Sequence, residues 1–261
     1  MNFLTKKENL ISNQFLKKGY LVTKVENKNS LNFLREIIIN ASKKLLKING
    51  ANLNKIHKKL NINELNEFRV EVIRILNNNK LSRYHYFNIA REALYTLAGN
   101  ELMMQKNINL SIQFPNDDTS LLPIHSDVWS GDSPFEINLW IPLVNCYKSK
   151  SMYILEEKDN EQFLKDIKKR KPSSSEKIYD LVKRKVKWLN VKYGEFLIFN
   201  QALPHGNIVN SELETRWSMN CRFKSYFSPY GDKKIGEFFL PITTRSMTKI
   251  GINFIHPFHK Q

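Results

Sequence analysis

The spacing of the apolar residues changes at Gly99, and that change limits the chain to a fold that begins with helices and continues as a β structure. Before Gly99, apolar residues recur at three- and four-residue steps, the period of a helix with one buried face. In NSLNFLREIIINASKKLLKI, Leu31, Leu34, Ile38, Leu45 and Leu46 share a face, and Ser30 stands where a cap is expected. A second helix is predicted from near Asn63 through Phe68, Val72 and Ile75, and a third from Ser82 to a stop at Gly99. One short strand, YLVTKV at 20–25, precedes them.

After Gly99 the period is two. INLSIQF sets Ile108, Leu110, Ile112 and Phe114 against Asn109, Ser111 and Gln113. Further predicted strands are FEINLWIPLV (135–144), SMYILE (151–156), KWLNVKY (187–193), EFLIFN (195–200) and RWSMNCRFKSYF (216–227), divided by Pro115, Asn116, Gly131, Gly194 and Gly206. Many short strands with such turns predict an α+β chain whose core is a jelly roll, preceded by supporting helices. Between SMYILE and KWLNVKY lies a lysine-rich stretch, 157–186, with two helical patterns parted by Pro172 and three serines. It has too few apolar residues for a core of its own, so it reads as a helical insertion. The 261 residues are thus expected to form one domain: 1–100 mainly helical, 101–230 the β core with the insertion, and 231–261 a C-terminal extension.

No run of eighteen apolar residues occurs and the N-terminus lacks a signal-type apolar stretch, so a cytoplasmic protein without a membrane span is expected. Cys146 and Cys221 lie in apolar, strand-like runs and read as buried free thiols. The net charge of +16 admits a nucleic acid or a phosphorylated partner. Lysine is spread along the whole chain, however, rather than gathered into a footprint, and a nucleic-acid partner is therefore disfavoured.

The residues that carry chemistry lie in the β half. His125 and Asp127 are two apart, and on an extended backbone two such side chains point the same way and can meet one metal ion. His205, at the end of another β element, supplies a third ligand. Two imidazoles and a carboxylate on one octahedral face leave three positions free, which suits iron(II) with a bidentate co-substrate and dioxygen. Eleven residues after His205, Arg216 opens a strand whose polar face continues with Ser218, Asn220 and Arg222. A guanidinium fork with a hydroxyl two residues on can hold a carboxylate. Arg222 is the alternative anchor, and Gln113 on the preceding strand is a further candidate contact. Trp129 and Asp132 are candidates to shape the pocket mouth. His57, His85, His256 and His259 read as packing or surface residues.

His-x-Asp, a distant His-Gly and then Arg-x-Ser resemble the signature of the iron(II)/2-oxoglutarate-dependent dioxygenases. Around LSIQFPNDDTSLLPIHSDVWSGDSPFEINLWIPLVNCYKSKSMYIL and GEFLIFNQALPHGNIVNSELETRWSMNCRF, the chain resembles the oxygenases of sporadic bacterial carbohydrate-biosynthesis clusters, distant relatives of the phytanoyl-CoA hydroxylases. The resemblance covers about residues 108–230. It implies a double-stranded β-helix of the cupin type. It also implies iron(II) on His125, Asp127 and His205, 2-oxoglutarate chelating that iron with its far carboxylate on Arg216 and Ser218, dioxygen as oxidant, and a sugar or nucleotide-sugar as substrate. Where many hydroxylases have a Pro-Gly-Ser-His turn this chain has SMYILEEKDN, so substrate contacts do not carry over. Two other readings stay open: a nucleic-acid demethylase of the same fold, since Arg216 and Arg222 are six apart, and a jelly-roll sugar-binding or isomerase protein with no co-substrate.

Overall fold

The computed structural model describes residues 3–258, and His259 lies outside them. Helix α1 (Lys6–Lys18) starts in a capping box in which Thr5 and Glu8 exchange side-chain and backbone hydrogen bonds. It ends at Gly19, whose φ of 78° is a left-handed cap that a residue with a Cβ adopts only under strain. The Gly19 carbonyl then accepts the Asn200 N–H, which ties the helix end to the sheet as strand β1 (Tyr20–Lys24) begins. Helices α2 (Lys28–Leu46), α3 (Leu65–Asn78), α4 (Ser82–Asn88) and α5 (Arg91–Ala98) follow.

The β half adds β2 (Leu102–Gln105), β3 (Asn109–Gln113), β4 (Glu136–Pro142) and β5 (Tyr153–Ile154), then helices α6 (Glu157–Arg170) and α7 (Ser175–Val182). It closes with β6 (Lys187–Trp188), β7 (Glu195–Asn200), β8 (His205–Gly206), β9 (Arg216–Ser225), β10 (Phe239–Pro241) and helix α8 (Ser246–Ile252). The result is a mixed fold of helices and antiparallel sheets. A seven-stranded sheet runs β1-β7-β4-β9-β2-β10, with β3 also on β9, and a three-stranded sheet runs β6-β5-β8.

Strand β9 is the spine of the larger sheet. One edge pairs with β4, and the other pairs with β2 near its end and with β3 near its start, Gln113 opposite Arg216 and Ser111 opposite Ser218. Its alternation sorts the two faces. Trp217, Met219, Cys221 and Phe223 are fully buried in the main core with residues of α2 and α3, while Arg216, Ser218, Asn220 and Arg222 line a cavity on the other face. Trp217 meets Phe68 of α3 edge-on at 6.2 Å and its indole N–H donates to the Leu53 carbonyl at 2.9 Å. Truncating such a side chain to alanine costs about 3–5 kcal/mol.

Several boundaries differ from the sequence expectation, each for a local reason. Asn27 rather than Ser30 caps α2, its side chain accepting the Ser30 N–H, so the helix begins two residues before Ser30. The expected helix from Ser82 breaks at Ile89 and Ala90 into α4 and α5, and both break residues are buried in the core. Strand β2 was not predicted: LMMQ is buried at every position and shows no alternation. The extension after 231 supplies β10, which pairs with β2. KWLNVKY keeps only two residues in regular pairing. The insertion does fold as two helices, and Phe163 and Val182 join Ile124, Tyr153 and Leu155 in a satellite cluster over the small sheet. Cys146 and Cys221 are buried and free. Among the described residues no helix is long and apolar enough to cross a membrane.

Candidate metal centre

His125 and His205 face each other across an isolated antiparallel bridge, His125 N–H to the His205 carbonyl at 3.0 Å and the reverse bond at 2.8 Å. Direct opposition brings the two side chains onto one face of the small sheet, with ring centroids 4.3 Å apart. Asp127 opens a short 3-10 turn, and its N–H donates to the carbonyl of Gln201, just past the end of β7, while His125 is held by β8. The neighbouring Gly206 is required by space. A Cβ there would lie 2.6 Å from Tyr153 Oη and 2.8 Å from the Leu122 carbonyl oxygen.

One ligand atom from each of His125, Asp127 and His205 lies within 4.8 Å of the other two. Both imidazoles are prepared by the same device, Nδ1 lying 2.7 Å from the Pro123 carbonyl for His125 and 2.8 Å from the Leu203 carbonyl for His205. A carbonyl only accepts, so each Nδ1 carries a proton, which leaves Nε2 as the nitrogen available for a metal. Burial, aided by the adjacent His125, pushes the pKa of His205 down to about 4, so its ring is neutral at physiological pH. Burial pushes Asp127 the other way, but His205, Arg222 and His125 more than offset it and hold its carboxyl below the usual range. Asp127 Oδ2 is buried without a hydrogen-bond partner. Two imidazole nitrogens and one anionic oxygen without a protein partner are a donor set that a divalent cation fits.

Arg222 stands behind this group. Its Nη2 lies 3.2 Å from Asp127 Oδ1 and 3.4 Å from Asp132 Oδ2, and its Nε donates to Gln201 Oε1 at 3.0 Å. Gln201 in turn donates to Glu136, and Lys233 reaches Asp132 at 2.5 Å. Arg222 therefore lines the cavity but is committed to two carboxylates of the chain itself. Asp132, expected at the pocket mouth, is buried in this network, and Trp129 is exposed and packs near Phe163 of α6 rather than lining the cavity.

The cavity holds about 450 Å³ and is lined from both sheets. Arg216 lies buried in its wall, with Nη1 on the Ser151 carbonyl at 3.2 Å and Nη2 on Ser111 Oγ at 3.0 Å. Burial draws its pKa down to about 10, still far above neutrality. Its Nε and the Ser218 hydroxyl are buried without hydrogen-bond partners. A cation and a hydroxyl left with unused donors beside a candidate metal-ligand triad fit a carboxylate. Gln113 is not among the lining residues; it donates to the Ile208 carbonyl at 2.8 Å. His57 bonds Thr215 and His85 bonds Ser30, both in packing positions.

No protein-family model matches the sequence. Among curated proteins, the streptomycin biosynthesis protein StrG of Streptomyces griseus is 28% identical over 120 residues. That match spans 45% of this chain and 45% of StrG, less than half of either. Solved structures align far more extensively. A nickel complex of the non-haem monooxygenase ThoJ matches 90% of this chain and 84% of its own at 13% identity and a TM-score of 0.55. HygX from Streptomyces hygroscopicus, with nickel and 2-oxoglutarate bound, matches 89% and 90% at 12% identity and 0.53. SnoN, a non-haem α-ketoglutarate-dependent epimerase of nogalamycin biosynthesis, matches 84% and 83% at 13% identity and 0.50.

The chain shares its fold with these non-haem enzymes. Of the lining residues that escaped the sequence reading, two carry unusual positions. Asn138 of β4 is buried with Oδ1 lacking a partner, and FEINLWIPLV reads as an apolar strand that hides it. Arg69 of α3 reaches the cavity rim although its helix position reads as solvated. For Asn138 the alternation of β4 against Trp140, both lining the cavity, was the available signal.

Proposed function

We propose that this protein is an iron(II)- and 2-oxoglutarate-dependent oxygenase, built on a double-stranded β-helix, that oxidises a small carbohydrate-type molecule. The observation that carries the reading is the pairing of a two-histidine, one-carboxylate triad with a buried arginine and hydroxyl that have donors to spare in the same cavity. Bound iron(II), with 2-oxoglutarate and dioxygen, supplies an oxidant able to attack an unactivated C–H bond, with succinate and carbon dioxide as co-products.

The chain's own residues have separable tasks in this reading. His125, Asp127 and His205 hold the metal, and the Pro123 and Leu203 carbonyls fix the two ring tautomers. Arg222 fixes the Asp127 carboxylate from behind. Arg216 and Ser218 take the far carboxylate of 2-oxoglutarate. The wall around the triad is rich in amides and hydroxyls, among them Asn138, Asn207, Ser120 and Thr119, which suits a substrate with many hydroxyl groups. The partial likeness to a streptomycin biosynthesis protein points the same way. Hydroxylation is the expected outcome, and product analysis distinguishes it from the epimerisation for which SnoN is named.

The test is succinate release. Purified protein supplied with iron(II) and 2-oxoglutarate in air is expected to form succinate as oxygen is consumed. Absence of succinate at any iron concentration contradicts the proposal.

A further inference from the structure

The cavity carries one cation more than the proposed chemistry uses. Its charged lining consists of Arg69, Arg216 and Arg222 against Asp127 alone. Arg222 is answered by Asp127 and Asp132, and Arg216 faces the place given to the co-substrate carboxylate. Arg69 has no carboxylate within ion-pair range among the described residues; its guanidinium donates to the neutral Asn66 side chain at 2.6 Å. Arg74, one turn further along the same helix, is by contrast paired with Glu71.

The position of Arg69 is built. Leu65, Phe68, Val72 and Leu76 form the buried stripe of α3, and Arg69 flanks that stripe, so it leaves the helix beside the sheet. The Asn77 side chain clamps α3 to the start of β3, donating to the Ile108 carbonyl at 3.0 Å and accepting its N–H at 2.7 Å. Among the described residues strand β3 pairs only with β9, which leaves its outer edge open. Arg69 lines the same cavity as Asn109 and Asn220, residues opposite each other in the β3–β9 register.

We propose that the outer part of the cavity is a substrate subsite for a polyhydroxylated molecule bearing an anionic group, Arg69 binding the anion and Asn109 and Asn220 meeting hydroxyls. The inference rests on the proposed function and deepens it by naming the substrate class. A guanidinium binds a phosphate or a carboxylate through the same forked geometry.

The experiment uses the full chain loaded with nickel and 2-oxoglutarate, which gives no turnover, titrated calorimetrically with glucose 6-phosphate, glucuronate and glucose. At least one anionic probe is expected to bind more tightly than glucose, and which one does so separates phosphate from carboxylate. Arg69→Ala is expected to weaken that probe by roughly ten- to a hundredfold, the range of a hydrogen bond to a charged group, with Arg69→Lys in between. Equal binding of all three probes, or an anion preference that survives in Arg69→Ala, overturns the subsite. Failure of the broader reading shows separately, as a wild-type protein that does not take up 2-oxoglutarate at all.

Discussion

Replacing Arg222 with methionine keeps most of the side-chain volume but leaves Asp127 and Asp132 facing each other's charge without their shared cation. Both carboxylates are buried, and the guanidinium side chain is itself only 13% exposed. Removing one partner from a buried ion pair costs about 3–5 kcal/mol. Asp132 keeps Lys233 at 2.5 Å, which offsets part of that loss, so we expect the metal-free variant to be less stable by roughly 2–4 kcal/mol near neutral pH. The sign of the pH dependence follows from Asp127. Its folded pKa is depressed, so its contribution is present above the unfolded carboxylate value of about 3.9 and is lost as pH falls through the folded value. Without Arg222 the carboxyl titrates higher, and protonation relieves the variant before it affects the wild type. The deficit should therefore shrink toward about pH 4 and also shrink at neutral pH when nickel is added, because a bound cation replaces the missing charge. Urea unfolding at both pH values, with and without nickel, measures this. A deficit below about 0.5 kcal/mol, or one that neither acid nor metal reduces, refutes the placement of Arg222 behind the metal ligand.

Three further outcomes are expected. Arg216→Ala should raise the KM for 2-oxoglutarate by about a hundredfold or more with nickel affinity kept, and Ser218→Ala by a few-fold with no loss of stability, since its hydroxyl is buried and unpartnered; steady-state succinate release and thermal unfolding check both. His205 has a folded pKa of about 4 against about 6.5 unfolded, so the unfolded chain binds the extra proton between these values; metal-free stability should fall by a few kcal/mol as pH drops through that window, and His205→Gln should flatten the profile. Gly206→Ala forces a Cβ against Tyr153 Oη and the Leu122 carbonyl, and should disturb β8 enough to abolish nickel binding in calorimetry.

What the sequence made legible was what periodicity and spacing encode. The change of period at Gly99 marks where five α-helices and a single strand give way to the nine remaining strands, and the alternation in RWSMNCRF assigns the two faces of β9 as observed among the described residues. The spacing of His125 and Asp127 and the place of His205 at the end of another β element named three candidate ligands, and the structure brings them together across the bridge. What stayed hidden depends on tertiary pairing. Arg216 and Arg222 are equivalent on the strand, and only the arrival of Asp127 and Asp132 from the loop after β3 commits Arg222 to the chain. Gln113 shares its polar face with Ser111, yet the segment carrying Ile208 covers it. Arg69 was unreadable because a helix surface position becomes a cavity rim only when Asn77 fixes α3 beside an open strand edge. Strand β2, buried along its whole length, gives no alternation to detect.

The central claim is that His125, Asp127 and His205 hold iron(II) while Arg216 and Ser218 hold 2-oxoglutarate upon it. Anaerobic addition of iron(II) and 2-oxoglutarate to the wild-type protein tests both halves at once, through the visible metal-to-ligand charge-transfer band that forms only when the two are bound together. The band is expected in the wild type and should be absent in His125→Ala. Its absence from the wild type, or its undiminished presence in His125→Ala, contradicts the account.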